Sequence, residues 1–296
     1  MQTILVPIDF TAASENALIY ANKLALRLPA EILLVHAGTG AALASEQRQA
    51  LLSRLQALAE RLRYHQLARQ SARRIQYHFH LAAEPLAEVL EVLVTGYRAD
   101  LVVTGLNLTD CAAATAAGEQ FTTLPEQVSC PVLVVPPGRH ELPTRVVVSG
   151  DFTHLDLNQL TGLPSLTRAS GSCFHLVQFF PPTSAGLAPL KKALLAARAH
   201  LPESTVHLLP EEDALEDLSE FCAHQNAQLL VLTTADGCLR RRFYNPLYIK
   251  TSAYHLRIPA LLLPTSTLPT TACCAHCALR QTAELRLPMA SPLVNR

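Results

Sequence analysis

The sequence predicts an α/β fold of two doubly wound, five-stranded parallel-sheet domains, each with strand order 3-2-1-4-5. Three observations carry that prediction. Short runs such as Leu101–Thr104 and Val132–Val135 are apolar throughout, as strands must be when helices cover both faces of a sheet. These runs alternate with longer stretches of helical period, which implies right-handed crossovers and a parallel sheet. Finally, the whole pattern occurs twice.

In the first copy, a strand near Thr3–Ile8 leads into a helix from about Ser14 to Leu28. A second strand runs from about Ile32 to Ala37. Leu51, Leu55, Leu58 and Leu62 then fall on one face of a long helix, at the 3.6-residue period. Ile75–His80 is the third strand and Pro85–Tyr97 the third helix. Leu101–Thr104 is the fourth strand and ends at Gly105. A loop follows, Gly118 opens another helical stretch, and Cys130-Pro131 introduces the fifth strand, Val132–Val135.

The repeat sets the domain organisation. Asp9, Phe10 and Thr11 recur as Asp151, Phe152 and Thr153, 142 residues on, and Leu34-Val35 recurs as Leu176-Val177. Later strands keep an offset of 128: Pro131–Pro136 matches Pro259–Pro264. The difference is a longer stretch between the second and fourth strands of the first copy. Each unit then has a single-domain size, with one domain over 1–138 and another over 144–264.

Composition narrows the function classes. The chain has 296 residues, 49% hydrophobic and 16% charged, with no net charge. That balance argues against nucleic acid or an anionic membrane surface as partner. No apolar run reaches the ~18 residues of a membrane span. The N-terminus reads as a first strand rather than an export signal. Eight scattered cysteines do not form a disulfide framework, so a reducing cytoplasm is expected.

In a doubly wound sheet, ligands bind at the carboxyl ends of strands one and four, where the winding reverses. That rule gathers Asp9, the His36-Ala37 end of strand two and the Gly105 loop. Gly105 and Gly118 are points where backbone can approach an anion, and the helix start beyond them offers unpaired N–H groups.

These residues carry a family resemblance. ILVPIDFTAASENAL, LLVHA, ADLVVTG and SCPVLVVP resemble the universal stress proteins, and the doubling resembles their tandem, two-domain members. The resemblance implies an adenine nucleotide alpha hydrolase-like fold and, in some members, an ATP site. It assigns Pro7, Asp9, Ala37, Gly105, Leu108, Gly118 and Glu119 to that site. The family's nucleotide loop is Gly, two residues, Gly, nine residues, Gly, then Ser or Thr. Here Gly105 and Gly118 keep the first and third glycines, while Leu108 and Glu119 replace the second glycine and the hydroxyl residue. The second copy has Thr233, Asp236, Pro246 and Leu247 at the same places.

Leu108 puts a Cβ where backbone would close on phosphate. Glu119 adds a negative charge that opposes a triphosphate by ~4 kcal/mol per pair at ~4 Å and an effective dielectric of about 20. It is also an ordinary first-turn acid of a helix. Thr109, Thr122 and Thr123 lie close enough in sequence to supply hydroxyls instead. Asp9 has two readings as well: a ligand to adenine and ribose, as the resemblance implies, or a turn acid starting the first helix. Its recurrence as Asp151, in the copy without the loop, favours the second.

Other groups fit bland roles. His78 and His80 share a face of the third strand and suit an exposed edge. Arg240–Arg242 suits a solvated loop, and Cys111 has no neighbour in sequence that activates it. The tail, 265–296, reads as flexible; its Cys273, Cys274, His276 and Cys277 crowd too closely for a one-loop zinc site. No assembled catalytic group is present, so the chain is read as a non-enzyme. It is expected to be a stress-response interaction or sensor module with an unknown protein partner. The alternative is an ATP-binding stress protein with slow or no hydrolysis. The apolar fifth strands need cover. In the family they pair between domains, which implies an intramolecular pseudo-dimer, with a homodimer of two chains beyond it.

Overall fold

The computed structural model describes residues 2–38, 40, 44–66, 74–106, 128–167, 171–180, 186–210, 213–233 and 258–264. Leu108, Thr109, Cys111, Gly118, Glu119, Thr122 and Thr123 fall outside these residues, as do Asp236, Arg240–Arg242, Pro246, Leu247 and the tail with its Cys and His cluster.

The first half runs β1 (Gln2–Pro7), α1 (Ala12–Arg27), β2 (Ala30–Ala37), α2 (Ser45–Gln66), β3 (Tyr77–Ala82), α3 (Leu86–Tyr97), β4 (Leu101–Gly105) and β5 (Val132–Val135). The second half runs β6 (Arg145–Ser149), a 3-10 helix (Leu157–Leu166), β7 (Cys173–Phe180), α4 (Ala188–His200), β8 (Ser204–Pro210), α5 (Ala214–His224), β9 (Leu229–Thr233) and β10 (Ala260–Leu263).

All ten strands form one sheet, in the order β3-β2-β1-β4-β5-β10-β9-β6-β7-β8. Each half therefore has the 3-2-1-4-5 order read from the sequence. Within each half the pairs are parallel. The junction is the exception: β5 and β10 run antiparallel, with Leu133 opposite Leu261.

The strands alternate between two cores. Ile4, Val6, Leu133 and Leu261 face the side covered by α1, α2, the 3-10 helix and α4. Leu5, Val132, Val134 and Leu262 face the side covered by α3 and α5. Burial on both faces explains the unbroken apolar runs, since fully burying one such side chain is worth about 1.5–3 kcal/mol.

Several elements differ from the sequence reading, three of them with a clear physical reason. The first helix begins at Ala12 because Thr11 caps it, its hydroxyl accepting the Ser14 N–H at 3.3 Å. The third strand spans Tyr77–Ala82, because its ladder with β2 starts at the Ile32–Tyr77 pair and continues to Ala37–Ala82. In the second half the first crossover is a 3-10 helix rather than an α-helix. Gly162 and Pro164 account for this change. Glycine is a poor helix former, and proline removes an N–H and disfavours the α conformation at Leu163.

A matched detail closes the third crossover in each half. Arg98 follows α3 with φ 50°, and Asn226 follows α5 with φ 49°. The next amides, of Ala99 and Ala227, bond back to Val94 and Cys222 at 2.8 and 2.9 Å. These left-handed positions end the helices and return the chain to the sheet.

Candidate functional site

The carboxyl end of β1 is tied to its neighbours before it reaches α1. Pro7, the last residue of β1, lies opposite Val35. The Ile8 N–H then donates to the Val35 carbonyl at 2.7 Å. His36 Nδ1 donates to the Ile8 carbonyl at 2.7 Å, so a side chain of β2 fixes the chain where β1 ends.

Phe10 has φ 62°, a conformation that strains a bulky side chain and clusters at functional sites. Its ring lies 5.0 Å from that of His36, and the Arg54 guanidinium sits 3.9 Å over its centroid. The aromatic wall at this strand end is therefore clamped on two sides. In the second half Phe152 is buried in the core instead.

Asp9 sits in the turn between β1 and α1. Its Oδ1 accepts the Thr11 N–H at 2.9 Å and the Thr11 hydroxyl at 2.6 Å. Asp151 Oδ1 takes the Thr153 N–H and hydroxyl at the same two distances. Both acids thus complete the same Asp-x-Thr turn. Partial burial raises both carboxyls, but hydrogen bonds outweigh it and hold them below the usual range. Ser14 and Thr11 supply those bonds at Asp9, and Thr153 and His154 at Asp151. In the second half, His154 Nδ1 is 2.7 Å from Asp151 Oδ2, and Gln178 donates to Oδ1 at 3.2 Å.

Ala37 ends β2, half-buried and paired with Ala82. Gly105 ends β4. A Cβ there would lie 2.1 Å from the Ala13 carbonyl oxygen, so the glycine lets the first turn of α1 lie against the strand. Pro7, Asp9, Ala37 and Gly105 thus lie at the carboxyl ends of the adjacent strands β2, β1 and β4.

A cavity of about 800 Å³ opens elsewhere, between α1 and Pro137–His140, lined by Thr11, Ala13, Asn16, Lys23 and Leu106 among others. None of Pro7, Asp9, Ala37 or Gly105 lines it. Lys23 spans its rim to Glu141 at 3.0 Å. The Asn16 carboxamide donates to the Pro136 carbonyl at 2.8 Å, and Gln159 repeats the contact on Pro264 at 2.9 Å. The proline following each fifth strand is thereby tied to the first crossover of its own half.

The histidines of β3 have separate partners. His78 Nε2 is 2.7 Å from Glu31 Oε2, and His80 Nδ1 is 3.2 Å from the Tyr97 hydroxyl. Among the described residues no group of three His, Cys, Asp or Glu side chains is arranged to hold a metal ion, and no helix is long and apolar enough to cross a membrane. Sequence reasoning missed Phe10 and Gln159. Phe10 carries no sequence signal for its backbone angle. Gln159 falls one position off the 142-residue offset from Asn16.

This fold is that of a doubly wound α/β protein, with its candidate site at the strand ends where the winding reverses. Residues 1–136 match the model of the universal stress protein family, and this half of the chain belongs to that family. A universal stress protein of Archaeoglobus fulgidus has the same fold with TM-score 0.58 and 14% identity, over 89% of this chain and 96% of that one. A candidate universal stress protein of Pseudomonas aeruginosa aligns with TM-score 0.56 and 15% identity, over 90% and 94%. A second P. aeruginosa protein, of unknown function, aligns with TM-score 0.52 and 14% identity, over 90% and 93%. Curated protein sequences give no match.

Proposed function

We propose that the chain is a tandem universal stress protein, with domains over 1–138 and 144–264 followed by a tail over 265–296. In this reading the halves form an intramolecular pseudo-dimer through their fifth strands. The protein works in the cytoplasm as an interaction or sensor module in a stress response, without catalysis of its own. Its partner is another protein, and two chains associate as a homodimer.

The observation that carries this reading is the paired turn. Asp9 and Asp151 hold their threonines at the same 2.9 and 2.6 Å distances. The acid that the family resemblance gives to adenine and ribose is thus already committed to the turn that starts each first crossover. Gly105 is likewise accounted for by the approach of Ala13. Leu108 and Glu119, in place of Gly and Ser or Thr, weaken phosphate binding further.

A second reading keeps ATP as ligand of the first-half crevice, with slow or no hydrolysis. The clamped, strained Phe10 favours it, because such strain collects at ligand sites. In that reading Pro7, Asp9 and Ala37 hold the nucleoside, and Gly105, Leu108, Gly118 and Glu119 line the phosphates.

Isothermal titration with ATP and Mg²⁺ separates the two. Wild-type protein is compared with a Leu108→Gly, Glu119→Ser variant. Binding by the variant alone supports an interaction module with a disabled loop. Micromolar binding by wild type at one site supports the nucleotide sensor. Binding by neither removes the adenine-nucleotide reading of the crevice.

A further inference from the structure

At the outer edge of the second half, four polar side chains form a chain across β7 and β8. Cys173 and His175 are two residues apart on one strand and share a face. Cys173 Sγ lies 3.5 Å from His175 Nε2. The other nitrogen, His175 Nδ1, lies 2.8 Å from the Thr205 hydroxyl, which lies 3.0 Å from His207 Nε2. His175 pairs with Thr205 in the strand register, so the backbone ladder sets this spacing. Phe221 of α5 backs both imidazoles edge-on, at 6.3 and 4.9 Å between centroids.

One proton arrangement satisfies all three contacts. The Cys173 thiol donates to His175 Nε2, His175 Nδ1–H donates to Thr205, and the Thr205 hydroxyl donates to His207 Nε2. This needs both imidazoles neutral. Burial lowers the affinity of both for a proton, and the nearby His207 lowers that of His175 further. Among the described residues, His207 is the titratable neighbour that lowers His175, and burial alone lowers His207.

The first half has a different chemistry at the same corner. Glu31, the counterpart of Cys173 at the 142-residue offset, has its Oε2 2.7 Å from His78 Nε2. Where the first half has a carboxylate beside an imidazole, the second half has a thiol, a base and a group that orients the base. This is the general arrangement of an activated nucleophile. Cys173 is half-buried and Thr205 is exposed, so small molecules reach the chain from the β8 edge.

We propose that Cys173 is a thiol-modification site, with His175 as its general base and Thr205 and His207 as positioning residues, and that it exchanges with low-molecular-weight disulfides. The Cys173 sulfur attacks one sulfur of the small disulfide. A new S–S bond forms, the old S–S bond breaks, and Cys173 is oxidised to a mixed disulfide. The other half leaves reduced, as a thiol. The proton leaves Cys173 for His175 Nε2 and passes to the departing thiolate.

The test uses the full chain and oxidised glutathione, with the mass of the mixed disulfide followed peptide by peptide. Cys130 and Cys222 are internal controls, since burial pushes both thiols up to about 12. Expected is a Cys173 rate nearly flat from pH 6.5 to 8, because His175, its proton affinity lowered by burial, stays neutral and takes the thiol proton within the contact. An unassisted thiol instead gains about tenfold per pH unit below its pKa. His175→Gln should lower the pH 7 rate by about 10²-fold and restore the steep slope, as loss of a general base does. Thr205→Val should give a smaller loss with the flat profile kept. A wild-type Cys173 profile that rises tenfold per unit overturns the proposal without any variant. So does a His175→Gln protein that keeps the wild-type rate while Cys130 and Cys222 stay unlabelled, which shows that it is folded.

Discussion

Two glycines of the first half should respond to the same substitution with opposite sign. At Gly105 an added Cβ would meet Ala13 backbone atoms at 2.1, 2.4 and 3.1 Å. None of these is a side-chain end that can swing aside. Restoring an ordinary contact of ~3.2 Å requires α1 and β4 to separate by roughly 1 Å, a gap that forfeits a quarter to a half of the dispersion between facing atoms. The helix that must retreat buries Ala17, Leu18, Ala21, Leu24 and Ala25 against the sheet. Gly105→Ala should therefore destabilise by about 1–3 kcal/mol, the usual range for overpacking. At roughly 2–4 °C per kcal/mol for a chain of this order of size, the midpoint falls by several degrees. Gly96 lies within α3 with nothing within 4 Å of its added Cβ. Gly96→Ala should stabilise by about 0.5–1 kcal/mol through helix propensity. Thermal unfolding followed by far-ultraviolet circular dichroism reads both. A Gly105→Ala midpoint equal to or above wild type would refute the packing argument, as would two variants that shift in the same direction.

Arg98→Gly should raise stability by about 0.5–1 kcal/mol in urea unfolding, because it relieves a left-handed conformation that costs an L-residue roughly 1–2 kcal/mol. Leu261→Ala, at a seam position 1% exposed, should cost about 2–5 kcal/mol in the same assay through the cavity left beside Leu133. Acid should weaken the fold. His140, His175 and His207 are held by burial below their ordinary value of 6.5. Their neutral forms thus contribute stability that is complete above 6.5 and is lost as pH falls through the lowered folded values. Midpoints measured from pH 7 to 5 should decline, and the decline should be shallower in a His140→Gln, His207→Gln variant. Asp9 and Asp151 are depressed as well, so their contribution is present above 3.8 and disappears only at still lower pH.

Much of the architecture was legible because burial on both faces leaves a plain trace. Val132–Val135 was read to the residue, and the strand order followed from alternation plus right-handed crossovers. The apolar fifth strands showed that they need cover, the family resemblance implied that they pair with each other, and β5 and β10 meet antiparallel. Ends were harder. Thr11 rather than Ser14 sets the start of α1, because a capping hydroxyl counts for more there than the onset of apolar periodicity. The repeat does not carry the change of the second half's first crossover to a 3-10 helix, which Gly162 and Pro164 explain in the structure. For the candidate site, the winding rule gathers Asp9, Ala37 and Gly105 at neighbouring strand ends, and the family resemblance adds Pro7. The recurrence of Asp9 as Asp151 favoured a turn acid, and both acids bond their own turns. That Gly105 faces Ala13 depends on how close α1 comes to the sheet, which no sequence pattern carries. The Cys173–His175–Thr205–His207 chain joins two strands 30 residues apart in the register, beyond the reach of any local motif.

The antiparallel seam has a consequence for how the second half is free to change. Where like halves meet as separate molecules, their union depends on how many are present, and dilution undoes it. Here Leu133 and Leu261 belong to one chain, so the partner is always at the high effective concentration set by the linker. The meeting of the halves is therefore indifferent to expression level. A half that never has to find its mate can hold a 3-10 helix in place of a regular first helix, and a thiol in place of a carboxylate, while the sheet stays continuous.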